Sequence, residues 1–250
     1  LLELGPNDYE DYYVKAEPVN AETVLVKMIA EKAMAMDARQ KGYLNDEMTE
    51  TLVERYRHRR LVNLLLQNRL QDKLTVTDSE IEERMKADPK LDRAKAEAML
   101  KNTKMRILFE QYYKQIYEKF HVKKVSDNFP KVVEIHQRLL LNPKTPRKMN
   151  FIRESQISDE LTPEERDMVL ATYDHGKVTL KDWFENLCES APPSRPRDLN
   201  TVEGVERLLE RTLTMPLLVS QAELSGFDKD ENLLKQVREY EDSRLISQAS

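Results

Sequence analysis

Apolar positions in this chain recur mostly at helical spacing, in blocks that predict a succession of helices. From Glu22 to Lys41, Val24, Met28, Ala35 and Ala38 form one stripe, widened by Val26, Ile29 and Met36. Asn20 or Thr23 is placed to cap this helix, and Gly42 to end it in the left-handed conformation glycine tolerates best. Asp46 then caps a second helix running to about Lys73, lined by Leu52, Val53, Tyr56, Leu61, Leu64, Leu65 and Leu70. Thr77 and Glu80 have capping-box spacing and open a short helix. Asp88-Pro89 stops it, because the residue before proline avoids the helical region. Between Leu91 and Phe120, Ala94, Ala98, Met105, Leu108, Tyr112, Ile116 and Phe120 make the clearest long stripe.

Beyond Phe120 the pattern becomes mixed. "HVKKV" predicts a short strand. Residues 126–165 combine short apolar runs with Pro130, Pro143 and Pro146, and predict strand and short helix joined by loop. Asp174-His175-Gly176 predicts a hairpin turn between "LATY" and "KVT". Thr179 then caps a helix carrying Trp183, Phe184 and Leu187. "APPSRPRD" reads as a stiff, extended linker. Thr201 opens a helix through Val205, Leu208, Leu209 and Leu213, in which Pro216 is expected to force a kink or a break. Residues 1–20, acidic and tyrosine-rich, read as an irregular arm.

One unit is written twice. "AMAMDARQKGYLNDEMTETLVERYRHRRLV", from Ala33, matches "LLVSQAELSGFDKDENLLKQVREYEDSRLI", from Leu217, without a gap. Eight of the thirty positions are identical, among them Ala38/Ala222, Gly42/Gly226, Tyr56/Tyr240 and Leu61/Leu245. With only five glycines in 250 residues, the coincidence of two of them points to a shared helix, glycine turn and second helix. The same scarcity argues against a glycine-rich phosphate loop, and no Walker-type, Rossmann or G-x-S-x-G pattern occurs.

Charge changes the picture little. A net charge of −5, mixed along the chain, gives no reason to expect nucleic-acid binding. Lys101 to Lys124 is locally basic, and reads either as a solvated helix face or as a contact for an acidic partner or membrane surface. No apolar run approaches membrane-spanning length, so any membrane association is peripheral. The opening "LLELGPNDYEDYY", without initiator methionine or signal peptide, suggests a processed or trimmed start.

Candidate chemistry is sparse. His58, His121, His136 and His175 show no ligand spacing and read as surface or turn residues, so no metal or other cofactor is expected. Cys188, alone and beside Glu189 at a helix end, reads as structural and half-buried. No catalytic residue emerges. Glu82/Glu83 and Glu164/Glu165 are adjacent, so on a helix they diverge and read as solvated surface. The methionines are more suggestive. Met28, Met34 and Met36, with Met99 and Met105 later, supply flexible thioethers suited either to filling core gaps or to gripping varied apolar partners. Tyr112 and Tyr113, like Tyr9, Tyr12 and Tyr13 of the arm, offer amphipathic contacts for the same purpose.

Several of these segments resemble the helical chaperone part of the SurA/PrsA family of extracytoplasmic foldases. "LVKMIAEKAMAMDARQKGY" is similar to that family's A-x-x-x-G helix. "LVNLLLQNRLQDKLTVTDSEIEERMK" is similar to its following V-x-V-T-D-x-E-I segment, with Val76, Thr77, Asp78, Glu80 and Ile81 in place. "GKVTLKDW" resembles the G-x-x-I-T-L-x-D entry that precedes the second Ala222/Gly226 unit. The resemblance covers most of residues 20–125 and 170–250 and implies a helical cradle for unfolded clients in the periplasm or elsewhere in the bacterial envelope. Many members also carry a glycine-rich parvulin prolyl-isomerase domain. No such block is present here, although "VVEIHQRLL" around His136 faintly resembles its opening strand.

The sequence therefore predicts a mainly α protein with a small β element. Its expected parts are an N-terminal helical chaperone module over 1–125, a mixed α/β connection over 126–170, and a C-terminal helical module over 171–250 that repeats the helix-glycine-helix unit. The expected function is ATP-independent binding of unfolded or partly folded client proteins at Met28, Met34, Met36, Met99, Met105, Tyr112 and Tyr113. Two alternatives stand beside it: a dedicated subunit of an envelope complex or homo-oligomer, and a prolyl isomerase, through His136 or a flanking parvulin domain.

Overall fold

The computed structural model describes residues 20–42, 47–144 and 151–249. The expected cap Asp46, the tyrosine-rich arm and Pro146 lie outside them. In chain order the elements are α1 (Ala21–Gln40), α2 (Glu47–Leu70), α3 (Asp78–Ala87), α4 (Arg93–Lys119), β1 (Lys123–Lys124), α5 (Phe129–Leu141), α6 (Ser155–Asp159), α7 (Pro163–Arg166), β2 (Val169–Tyr173), β3 (Gly176–Thr179), α8 (Leu180–Glu189), α9 (Val202–Leu224) and α10 (Glu231–Ala249). The protein is thus mainly α with one small antiparallel sheet. It divides into two compact units, one of residues 1–57 with 231–250 and one of residues 58–230.

In the first unit α1 packs along α10. Asn20 caps α1, its Oδ1 accepting the Glu22 N–H at 2.9 Å. Gly42 ends the turn after α1 at φ 78°, and Gly226 after α9 has φ 79°, so both repeat copies use the glycine identically. Ala35 and Ala38 are fully buried, and small side chains there let helices approach closely. Lys32 donates to Asp242 at 2.7 Å, and Arg39 bonds Glu241 at 3.0 Å and also Asp242. Tyr56 stacks on Tyr240 with ring centroids 4.1 Å apart and planes 5° from parallel. These are equivalent positions of the two repeat copies. The stacking sets one point of α2 beside the matching point of α10.

The second unit is organised around α9, which packs against α4, α5 and α8. Its buried side, with Val205, Leu208, Leu209, Thr212, Leu213 and Leu217, keeps the i, i+3, i+4 spacing of a core-facing helix. Thr201 caps it, and the Trp183 indole N–H, from α8, donates to the Val205 carbonyl at 3.1 Å. Capping boxes at Thr77/Glu80 and Thr179/Asp182 start α3 and α8 where expected. The sheet has the order β1-β2-β3, with Lys124 opposite Ala171 and Ala171 opposite Val178. In the β2–β3 turn His175 takes the left-handed conformation, at φ 79°, and Gly176 begins the strand.

Four local expectations are corrected. No strand occurs within the described part of 126–165. Phe129–Leu141 is a helix burying Phe129, Val132, Ile135, His136 and Leu139, and Pro130 sits in its first turn, where a missing N–H costs nothing. Of the kink or break expected at Pro216, the break does not occur: α9 runs from Val202 to Leu224 as one helix. Burial of Leu213, Leu217 and Leu218 around Pro216 offsets the lost hydrogen bond. "APPSRPRD" is no extended linker. Pro192–Ser194 forms a tight helical turn, and Arg195 donates to the carbonyls of Ser190 at 2.9 Å and Ile152 at 2.6 Å. The α4 stripe is buried only toward its end, at Ile116 and Phe120, while Ala94, Ala98 and Met105 are exposed.

Candidate functional site

The most unusual surface is the N-terminal half of α1. Leu25, Val26, Met28 and Ile29 are 56–61% exposed, and Val24, Met34 and Met36 also face solvent among the described residues. Apolar side chains on nearly every side of a helix are expected where the helix is enclosed. Here only Ala35 and Ala38 are buried.

The repeat sharpens this observation. Continuing the gap-free alignment upstream sets Val24, Leu25, Met28 and Ile29 against Leu208, Leu209, Thr212 and Leu213. The α9 residues are at most 6% exposed. The α1 side chains thus occupy positions that the other copy uses for its core. Contiguous exposed apolar surface of this kind marks interaction sites in soluble proteins. The ion pairs to α10 fix the C-terminal half of the same helix. Burial pushes the Asp242 carboxyl up, but hydrogen bonds from Lys32 and Arg39 outweigh it and hold its pKa below the ordinary value.

The anticipated contact residues do not form one cluster. Met28, Met34 and Met36 lie on α1, in the first unit. Met99 and Met105 lie on α4, in the second, both exposed and roughly 120° apart around the helix. Tyr112 lines a cleft with Arg69, Leu108 and Ile116. Tyr113 points elsewhere, its hydroxyl donating to the Glu210 carbonyl at 3.4 Å and its ring packing on Phe109 and Tyr117. Leu25, absent from the anticipated set, is as exposed as the methionines beside it.

Among the described residues the titratable groups give no assembled catalytic centre. His121 and His175 lie in turns with positive φ. His136 corrects the surface-or-turn expectation and also the resemblance of its segment to a strand. It is buried in α5, its ring stacked near Phe184 and edge-on to Trp183. Its Nδ1 is buried without a partner, and burial lowers its pKa to about 4, with Arg195 adding to the effect. Such a ring is neutral packing material. Cys188 is half-buried, its thiol pKa pushed up by burial against a smaller opposing effect of Arg195. Among the described residues no three histidine, cysteine or carboxylate side chains gather as a metal site. Nor is any described helix long and apolar enough to cross a membrane.

No protein-family model, curated protein or solved structure matches this chain.

Proposed function

We propose that the protein is an ATP-independent chaperone or foldase scaffold of the bacterial envelope, and that the apolar face of α1 holds unfolded or partly folded client polypeptides. The observation that carries the reading is the exposure of Leu25, Met28 and Ile29 at positions whose equivalents on α9 are core. Unbranched thioethers at Met28, Met34 and Met36 adapt to varied apolar partners, which suits clients without a fixed shape. The V-x-V-T-D-x-E-I likeness at Val76–Ile81 and the doubled Ala-x-x-x-Gly unit support the family and the compartment.

The test is aggregation of a chemically unfolded client without nucleotide. The protein in molar excess suppresses light scattering, and the triple variant Leu25→Ser, Met28→Ser, Ile29→Ser loses most of that effect while keeping its helical circular dichroism. No suppression, or full suppression by the variant, overturns the reading.

One observation favours a second reading. The matching face of α9 is covered by helices of its own chain, so a single helical partner in an envelope complex suits α1 as well. Native pull-down separates the two: many substoichiometric clients on the first reading, one stoichiometric partner on the second.

A further inference from the structure

A cleft of about 320 Å³ opens in the second unit between the end of α2, α4 and α9. That volume is at the small end of the range for ligand pockets. Its rim carries three cations, Arg69, Lys73 and Lys119, and no acidic residue lines it. Several other cations of α4 and β1 are paired. Lys101 meets Glu97, Lys104 meets Glu80, and Lys124 meets both Glu206 and Glu210. Among the described residues Arg69, Lys73 and Lys119 have no carboxylate within salt-bridge distance, and Lys119 donates instead to the Gln221 side chain at 2.7 Å. The floor is apolar, with Leu70 and Ile116 each 2% exposed and Leu108 beside them. The Tyr112 hydroxyl lies in the same wall beside the Arg69 guanidinium, so the two polar groups face the cleft together.

We infer that this cleft binds a carboxylate carried on an apolar body. The carboxylate sits among Arg69, Lys73 and Lys119 and accepts from the Tyr112 hydroxyl, while the body rests on Leu70, Leu108 and Ile116. A guanidinium and two ammonium groups around an acceptor-only anion give charge-assisted hydrogen bonds, the strongest kind available at a surface. The carboxylate has two sources, the free C-terminal end of a polypeptide or a free organic acid. The chain-end source rests on the chaperone reading above; the free-acid source does not.

The experiment measures binding of two matched pairs to the full chain. One is a fluorescein-labelled hexapeptide ending in leucine, as C-terminal acid and as C-terminal amide. The other is 3-phenylpropanoate and its amide, read by isothermal calorimetry. The expected result is a preference for the acid of at least about tenfold in one or both pairs. That preference disappears in the variant Arg69→Gln, Lys73→Gln, Lys119→Gln, whose exposed positions leave the fold intact by circular dichroism. Preference in the peptide pair assigns the ligand to a chain end, and preference confined to the small acid assigns it to a free acid. Equal binding of acid and amide in both pairs, or an acid preference that survives in the variant, overturns the site. Because aggregation suppression is tested on α1, failure of this cleft and failure of the chaperone reading give separate outcomes.

Discussion

Helices α1 and α9 open the two copies of one repeat, yet they have opposite fates. Helix α9 buries eleven residues and α1 buries two. The difference does not lie in apolar content, since Val24, Leu25 and Ile29 stand where α9 has Leu208, Leu209 and Leu213. It lies in the neighbours: α4, α5 and α8 surround α9, whereas α1 has α10. A helix with a core-quality face thus becomes scaffold or contact surface according to what the rest of the chain places beside it.

The strongest way to break this comparison is to truncate equivalent residues. Leu213→Ala should destabilise the protein by about 2–5 kcal/mol in urea unfolding, through lost transfer energy and a residual cavity. Ile29→Ala should change stability by no more than about 0.5 kcal/mol, as at an ordinary surface site. Equal costs would mean that the α1 face is covered in solution.

Acid should separate the units next, because the buried His136 lies in the unit of residues 58–230. The His136 pKa of about 4 lies below the ordinary 6.5, so between those values the unfolded chain binds more protons than the folded one. The contribution is fully present above pH 6.5 and is lost as the pH falls toward 4. It amounts to something on the order of 3 kcal/mol. His136→Phe should flatten the stability profile in that window, as read by denaturation at pH 4.5 and 7.

Smaller effects sharpen the likeness between the copies. Gly226→Ala should cost about 1–2 kcal/mol, because a side chain there has open space and only the left-handed backbone penalises it. Gly42→Ala should cost the same, from its matching φ. A double-mutant cycle on Tyr56 and Tyr240 should return a coupling of about 0.5–1.5 kcal/mol, the range for stacked aromatic pairs. No coupling would mean that this stacking does not hold α2 beside α10.

Much of this was legible in the sequence because the signals are local. Asn20, Thr77, Thr179 and Thr201 cap helices within three residues of themselves, and Gly42 and Gly226 end turns by their own backbone freedom. Residues 126–165 were not legible for an equally physical reason. A proline in a first helical turn reads as a breaker, and helices as short as Ser155–Asp159 and Pro163–Arg166 show no period. His136 carries no local mark of burial, since Trp183 and Phe184 reach it from a helix more than forty residues on. The cleft at Tyr112 joins Arg69 to Gln221, and no window along the chain holds both. Periodicity identified the α1 stripe, but it cannot say whether a stripe finds cover.

The pairing of Lys32 with Asp242 spans 210 positions. A growing chain emerging from the ribosome has made α1 long before α10 exists, so the helix that clamps it arrives some 210 residues later. Closing so long a loop is slow, and until it happens the nascent α1 lacks the helix it packs along. A polypeptide with this architecture spends its own synthesis in the sticky condition that we propose it relieves in others.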